Sequence, residues 1–302
     1  MSTDARTFYI LGPTAVGKSA IAVAVAELCG GEIVGADAFQ VYRGLDLLTA
    51  KPEPSLLDRL PHHLVGEIDL TRAFDVAQYA SMARARITEI HARGKVAVVC
   101  GGTGLYVRAL THGLSELPQA DATLRAELEA IPLPQLHARL AELDPVSSSR
   151  IDLRNPRRVV RALEVCLLTG EPFSRFIDEH RHPLHPLQGV ILNREKSELD
   201  DRIDRRTHEM FSAGVVEEVS ASGEAGPTAS QAIGLRQIRA LLAKEVGQSD
   251  CISAIQQATR RYAKRQMTWF RRETAFEIVN LTGDEDHAEL CSRLAANAAA
   301  VG

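Results

Sequence analysis

The sequence predicts an α/β fold: a parallel sheet interrupted by an inserted helical domain. Three observations carry this expectation. Short apolar runs at 8–11, 33–36 and 95–100 alternate with helical runs at 20–28 and 75–93, the rhythm of strand–helix–strand units. From Pro118 to about Pro186 the texture is helical, with candidate helices at 124–131, 135–143, 156–168 and 174–179. Prolines 132, 134, 145, 156, 172, 183 and 186 read as the joints between them. The strand pattern then returns at 189–193 and 276–281, around long helical runs at 197–214 and 250–273. The expected division is a core formed by 1–117 and 187–302, and an insert at 118–186.

The first turn of the core carries the most specific signal. Gly12-Pro13-Thr14-Ala15-Val16-Gly17-Lys18-Ser19 follows an apolar strand and opens an alanine-rich helix, which is the G-x-x-x-x-G-K-[ST] pattern in its required context. Its glycines let successive backbone N–H groups converge on anionic oxygens. The helix N-terminus adds its dipole. Lys18 supplies a cation, and the Ser19 hydroxyl suits a Mg²⁺ bridging phosphates. The core is therefore expected to be P-loop NTPase-like.

Further along, Gly30-Gly31 ends the first helix, and the strand 32–36 delivers Asp37 at its carboxyl end, where ligands bind in open α/β sheets. Asp37 can serve as a metal-associated group or a general base, or as a turn aspartate. Gln40, with donor and acceptor on one amide, suits an adenine edge. Residues 62–68 suggest a further strand. Asp75 and Gln78 suggest a capping box, with Gly94 as the helix stop. The strand 95–100 ends in Cys100-Gly101-Gly102-Thr103, with Thr103 placed to cap the next helix. A hydrolytic ATPase usually carries an acid at that strand end to position Mg²⁺. Its absence weighs against ATP hydrolysis.

Composition is ordinary for a globular chain of 302 residues, with 45% hydrophobic and 25% charged residues. The net charge of −4 excludes a global field for nucleic acid, so any such partner must be held by local patches. Two patches exist. One is Arg150, Arg154, Arg157, Arg158 and Arg161 in the insert. The other is Arg260, Arg261, Lys264, Arg265, Arg271 and Arg272, interleaved with Tyr262, Trp269 and Phe270. Cations with aromatics suit phosphate contact and base stacking on RNA. The five cysteines are scattered without C-x-x-C, so no zinc ribbon or disulfide framework is expected. His180, His182 and His185 read as a solvated interdomain loop rather than a metal site. With no signal peptide or membrane-length apolar run, a cytoplasmic setting is expected.

Together these residues resemble the tRNA dimethylallyltransferases, also called tRNA isopentenyltransferases. The resemblance runs through the phosphate loop, the stretches at 37–46, 49–52, 61–64 and 101–106, Asn155-Pro156-Arg157-Arg158 with Arg161, Gln231-Ala232-Ile233-Gly234, and Lys264-Arg265-Gln266-Met267-Thr268-Trp269-Phe270-Arg271. It implies transfer of a dimethylallyl group from dimethylallyl diphosphate to N6 of adenine 37 in the tRNA anticodon stem-loop, with Mg²⁺ as cofactor. No membrane and no obligate protein partner are implied. In the roles so implied, the loop from Gly12 to Ser19 with Arg206 holds the diphosphate, and Ser19 holds the metal. Asp37, Thr103 and Lys18 are catalytic. Asp37 takes the N6 proton and Gln40 reads the flipped-out adenine. Asp37, Ala38, Phe39, Gln40, Thr103, Arg125, Arg157, Arg158, Val159, Val160, Arg161, Gln231, Gly234, Arg236, Lys264, Arg265, Trp269 and Arg271 contact tRNA. Ala38, Leu48 and Leu235 depart from the family's usual Ser, Gly and Tyr. An adenylate isopentenyltransferase, the alternative within the resemblance, would need neither the insert nor the Arg-aromatic helix. A P-loop kinase would consume ATP.

Overall fold

A computed structural model describes residues 6–115, 117–177, 183–283 and 287–300. It falls into two compact units, one of 1–111 with 185–302 and one of 112–184. These limits lie a few residues ahead of the expected joints at 117 and 186.

The larger unit is built on six strands: β1 (Thr7–Leu11), β2 (Glu32–Ala36), β3 (His62–His63), β4 (Ala97–Gly101), β5 (Gln188–Arg194) and β6 (Glu277–Leu281). Their order is β3-β2-β4-β1-β5-β6, and every pairing is parallel. The four central strands are apolar because both of their faces are covered. Tyr9, Leu11, Val34 and Val99 point to one face, and Phe8, Ile10, Ile33 and Val98 to the other. The first face is packed by α3 (Val76–Ala92), α4 (Gly104–Thr111), α11 (Val215–Ala221), α12 (Leu235–Leu242) and much of α13 (Gln248–Phe270). The second is covered by α1 (Lys18–Leu28), α10 (Lys196–Ser212) and α14 (Ala288–Ala299). A one-turn helix, α2 (Pro54–Leu57), precedes β3.

The capping box at Asp75 forms as expected. Asp75 Oδ1 accepts from Gln78 N at 2.9 Å, and Gln78 Oε1 accepts from Asp75 N at 3.1 Å. The strand expected at 62–68 survives only as its first two residues. Leu64 takes a left-handed φ of 60°, and the Glu67 carboxylate accepts from Leu64 N at 2.6 Å, so the chain turns there.

The smaller unit is helical: α5 (Ala122–Glu129), α6 (Leu133–Leu143), α7 (Pro145–Arg150), α8 (Pro156–Thr169) and α9 (Phe173–Ile177). Three of the expected proline joints lie inside helical first turns. Pro134, Pro145 and Pro156 sit at N1 or N2, where the missing N–H costs nothing. This is why α6 begins at Leu133 rather than Gln135. Leu128, Leu136, Leu140, Val159, Val160 and Leu163 form this unit's own core. Inside it Glu164, 0% exposed, accepts from Arg125 at 2.7 Å, Arg161 at 2.6 Å and the Asp121 amide at 3.0 Å. Removing that carboxylate would take this partner from the Asp121 amide and the partly exposed Arg125, while Arg161 keeps the Pro118 carbonyl at 2.8 Å.

Candidate active site

The carboxyl ends of β1, β2 and β4 meet at one cavity of about 550 Å³ in the larger unit. The loop after β1 forms one wall. Gly12, Ala15 and Gly17 take φ values of 148°, 66° and 101°. These turns curl the backbone into a concavity of the kind that binds anions. Gly12 admits no side chain, since a Cβ there would lie 2.5 Å from the Leu192 carbonyl. Lys18, opening α1, donates to the Pro13 carbonyl at 2.7 Å across its own loop. Burial pushes its pKa down, and Asp37 is among the groups that oppose this.

The outward carbonyls of the loop are held by arginines that the sequence reading largely missed. Arg194, at the end of β5, donates Nε to Val16 O at 3.0 Å and pairs with Glu198. Arg202 donates Nε to Ala15 O at 2.9 Å, and Arg206, one turn on along α10, donates Nη2 to Thr14 Oγ1 at 3.1 Å. Arg206 was expected here. Its Nε is buried with no hydrogen-bond partner, and burial lowers its pKa while Asp37 opposes the shift. The signal for Arg202 was its four-residue spacing from Arg206, which puts both on one face of α10. Arg202 and Arg206 line the cavity with Lys18, Lys51 and Arg205, and the carboxylates Asp37, Asp46, Glu53 and Glu209 share that lining.

Asp37 lines the same cavity. One oxygen, Oδ1, accepts from Phe39 N at 2.9 Å and Gln40 N at 3.2 Å, so it forms an aspartate turn. The turn reading and the functional reading are therefore compatible, since one carboxylate oxygen fixes the other. Gln40 donates both amide hydrogens to backbone, to Thr49 O at 3.1 Å and Ala50 O at 2.9 Å. Its carbonyl is the group left for a base edge. The loop carrying these acceptors is pinned from its other side by Glu218 of α11, which accepts from Leu47 N at 2.8 Å and Leu48 N at 2.9 Å. Nothing in the sequence marked Glu218.

Thr103 does not cap α4 through its side chain. Its hydroxyl accepts from Ala38 N at 3.0 Å and so ties the β4 turn to the residue after Asp37; only its carbonyl takes the first amides of α4. Tyr262 of α13 lines the cavity, and burial together with Asp37 raises its pKa against hydrogen bonding from Thr103 and Gln266.

The aromatics of α13 correct one expectation. Trp269 spends one ring face on the backbone of Gly104, where a Cβ would lie 2.3 Å from its ring, meets Phe270 edge-on at 5.1 Å and is half-buried. Phe270 is 0% exposed. The aromatics turn inward, while Arg261, Lys264, Arg265, Arg271 and Arg272 face solvent. Gln231 and Arg236 are exposed as well, and Gly234 takes a φ of 96° at the start of α12.

In the smaller unit, Arg157 and Arg158 are exposed, whereas Arg125 and Arg161 spend their charge on Glu164. Val159 and Val160 are 0% and 2% exposed, so these side chains hold the helix core and do not reach RNA. His180 and His182 lie outside the described residues.

For Mg²⁺, the Ser19 hydroxyl lines the cavity beside the loop, and no cluster of three or more His, Cys, Asp or Glu exists among the described residues. One hydroxyl beside a phosphate loop fits an ion that keeps its waters and takes its remaining oxygens from a bound phosphate ligand.

Fold and site define a class: a phosphate-loop α/β protein with a carboxylate across the cavity and no acid at the end of the strand beside the loop. A family model described as IPP transferase matches residues 40–273, and the chain belongs to that family. It is 45% identical over 287 residues to a tRNA dimethylallyltransferase of Geobacter sulfurreducens, covering 92% of each chain. It is 43% identical over 269 residues to one of Akkermansia muciniphila, covering 88% of this chain and 90% of that one. The full-length tRNA isopentenylpyrophosphate transferase of Bacillus halodurans has the same fold, with a TM-score of 0.71 at 35% identity over 98% of this chain and 96% of that one.

Proposed function

We propose that this protein transfers a dimethylallyl group from dimethylallyl diphosphate to N6 of adenine 37 in the tRNA anticodon loop, releasing diphosphate. The observation that carries the reading is the pairing of a carboxylate and a phosphate loop across one cavity. Asp37 has one oxygen fixed by two amides, and Lys18 and Arg206 stand close enough for its charge to bear on both. The names of the relatives agree with it.

In this reading the adenine leaves its stack and enters from the Gln40 side. N6 attacks C1 of the allyl group, and the bond from C1 to the diphosphate oxygen breaks. The electron pair departs with the diphosphate. The loop amides, Lys18 and Arg206 stabilise its growing charge. The N6 proton passes to the second oxygen of Asp37, because the amine becomes acidic as it is alkylated. The Ser19 hydroxyl would hold a Mg²⁺, which would supply charge neutralisation for the leaving group. Arg157, Arg158, Arg236, Lys264, Arg265 and Arg271 supply exposed charge for RNA phosphates.

No described helix is long and apolar enough to cross a membrane. A cytoplasmic enzyme without an obligate protein partner belongs to the same proposal. Diphosphate release from dimethylallyl diphosphate should depend on added unmodified tRNA. Release of phosphate from ATP, with dimethylallyl diphosphate left intact, would contradict the reading.

A further inference from the structure

Gln266 lies in the most cationic stretch of α13 yet is 6% exposed, unlike its neighbours Lys264 and Arg265. Its amide stands at a junction of two loops, beside its hydrogen bond with Tyr262 of the same helix. Oε1 accepts from Thr14 N, in the phosphate loop, at 2.8 Å, and Nε2 donates to Gly102 O, in the turn after β4, at 2.8 Å. The lack of a side chain at Gly102 makes room for this. A Cβ there would lie 2.3 Å from Gln266 Nε2 and 2.9 Å from Gly12 O. Two observations thus converge: a buried amide with directional bonds to two loops, and a glycine whose vacant side-chain space that amide fills.

The consequence follows from backbone chemistry. A phosphate loop binds anions through the direction of its N–H groups. Gln266 takes the Thr14 N–H for itself and so fixes the peptide at the loop's entrance. With the Ala15 and Val16 carbonyls already taken by Arg202 and Arg194, this leaves the amides that follow in the loop as the group for an anion. The same side chain holds the turn that carries Thr103, whose hydroxyl holds Ala38 beside Asp37. One amide therefore sets the diphosphate side and the acceptor side in register.

We infer that Gln266 is a positioning residue for the phosphate loop, coupling the helix that carries the Lys264 and Arg265 cations to the site that binds diphosphate. The inference rests on the proposed function for its substrate. It acts through the loop and touches no reacting atom. Its loss should therefore weaken diphosphate binding more than RNA binding, whose exposed cations it leaves in place.

The test compares Gln266→Met, similar in length but unable to make either bond, with the unsubstituted protein. Calorimetry with inorganic diphosphate and Mg²⁺ should show about tenfold weaker binding, the scale of two lost neutral hydrogen bonds. KM for dimethylallyl diphosphate should rise by a similar factor, while the dissociation constant for tRNA changes less than about twofold. Diphosphate affinity unchanged within twofold, or tRNA and diphosphate affinities falling together, would overturn the inference. If the Met variant does not fold, Gln266→Glu serves. It keeps the acceptor for Thr14 N but faces Gly102 O with a second acceptor, and the same split between the two affinities is read. A protein that binds diphosphate but never consumes dimethylallyl diphosphate would instead contradict the proposed function and leave the calorimetric test standing.

Discussion

At the scale of single residues, the proposed chemistry rests on Asp37. Its side chain does two things at once. Oδ1 closes the turn through Phe39 N and Gln40 N, and that bond aims the remaining oxygen. Asp37→Asn keeps an acceptor for the turn and removes the base. Turnover should fall by about 10²–10⁴-fold, the range for a lost general base, while tRNA affinity stays within about twofold; single-turnover rates and filter binding check the two halves. A second residue acts on stability alone. Glu32, at the opposite end of β2, is 2% exposed. Burial would raise its pKa, but hydrogen bonds from Arg93, His63 and Lys95 outweigh it and hold the carboxyl at about 2 against an ordinary 4.5. A depressed carboxyl contributes stability that is fully present above its unfolded value and is lost as pH falls through the folded one. The contribution is roughly 3 kcal/mol at neutral pH and disappears between about pH 4.5 and pH 2. Glu32→Gln should therefore flatten the acid limb of stability across that window in denaturant titrations. A limb as steep as before would show that other carboxylates set it.

At the scale of elements, α13 joins the chemistry to the proposed RNA surface. Its inward face carries Gln266, Tyr262 and Trp269 to the loops, and its outward face carries Lys264 and Arg265. Lys264→Ala with Arg265→Ala should weaken tRNA binding and make log Kd less steep against log salt by close to two charges, since each phosphate contact releases counterions. An unchanged slope would place the RNA elsewhere. Much of this was legible. The loop motif, the strand ends and the periodicity of 250–273 pointed to the residues that line the cavity, because spacing and turn chemistry are local. The inward aromatics were not, since a helix with cations and rings in alternation does not say which face meets the sheet. Gln266, Arg202 and Glu218 were hidden for a related reason. Each acts on a segment more than 150 residues away in sequence, and no local pattern records such a partner. The strand expected at 62–68 failed on a turn set by one left-handed leucine.

At the scale of the whole molecule, the proposed function gives the phosphate loop a different task from the one its motif suggests. A loop of this kind usually serves phosphoryl transfer, with an acid on the adjacent strand to hold Mg²⁺ and activate water. Here the adjacent strand, β4, ends in Cys100 and Gly101, and the carboxylate stands one strand further, after β2. This arrangement supports the proposed function, in which the loop holds a leaving diphosphate and the carboxylate deprotonates an acceptor. The insert and α13 each add exposed arginines to a chain of net charge −4, the local charge that the proposed function assigns to RNA phosphates. The legible part at this scale was the order of core, insert and core. The burial of Val159 and Val160 was not legible, because two valines between arginines read equally well as a surface or a core face.

The central claim is that a dimethylallyl group goes to tRNA. It is tested most directly by incubating the protein with Mg²⁺, dimethylallyl diphosphate and either unmodified tRNA or AMP, followed by mass analysis of the nucleosides. The predicted result is an adenosine bearing a dimethylallyl group, recovered from the anticodon-loop fragment of the tRNA, with AMP unchanged. Modified AMP beside untouched tRNA would contradict it.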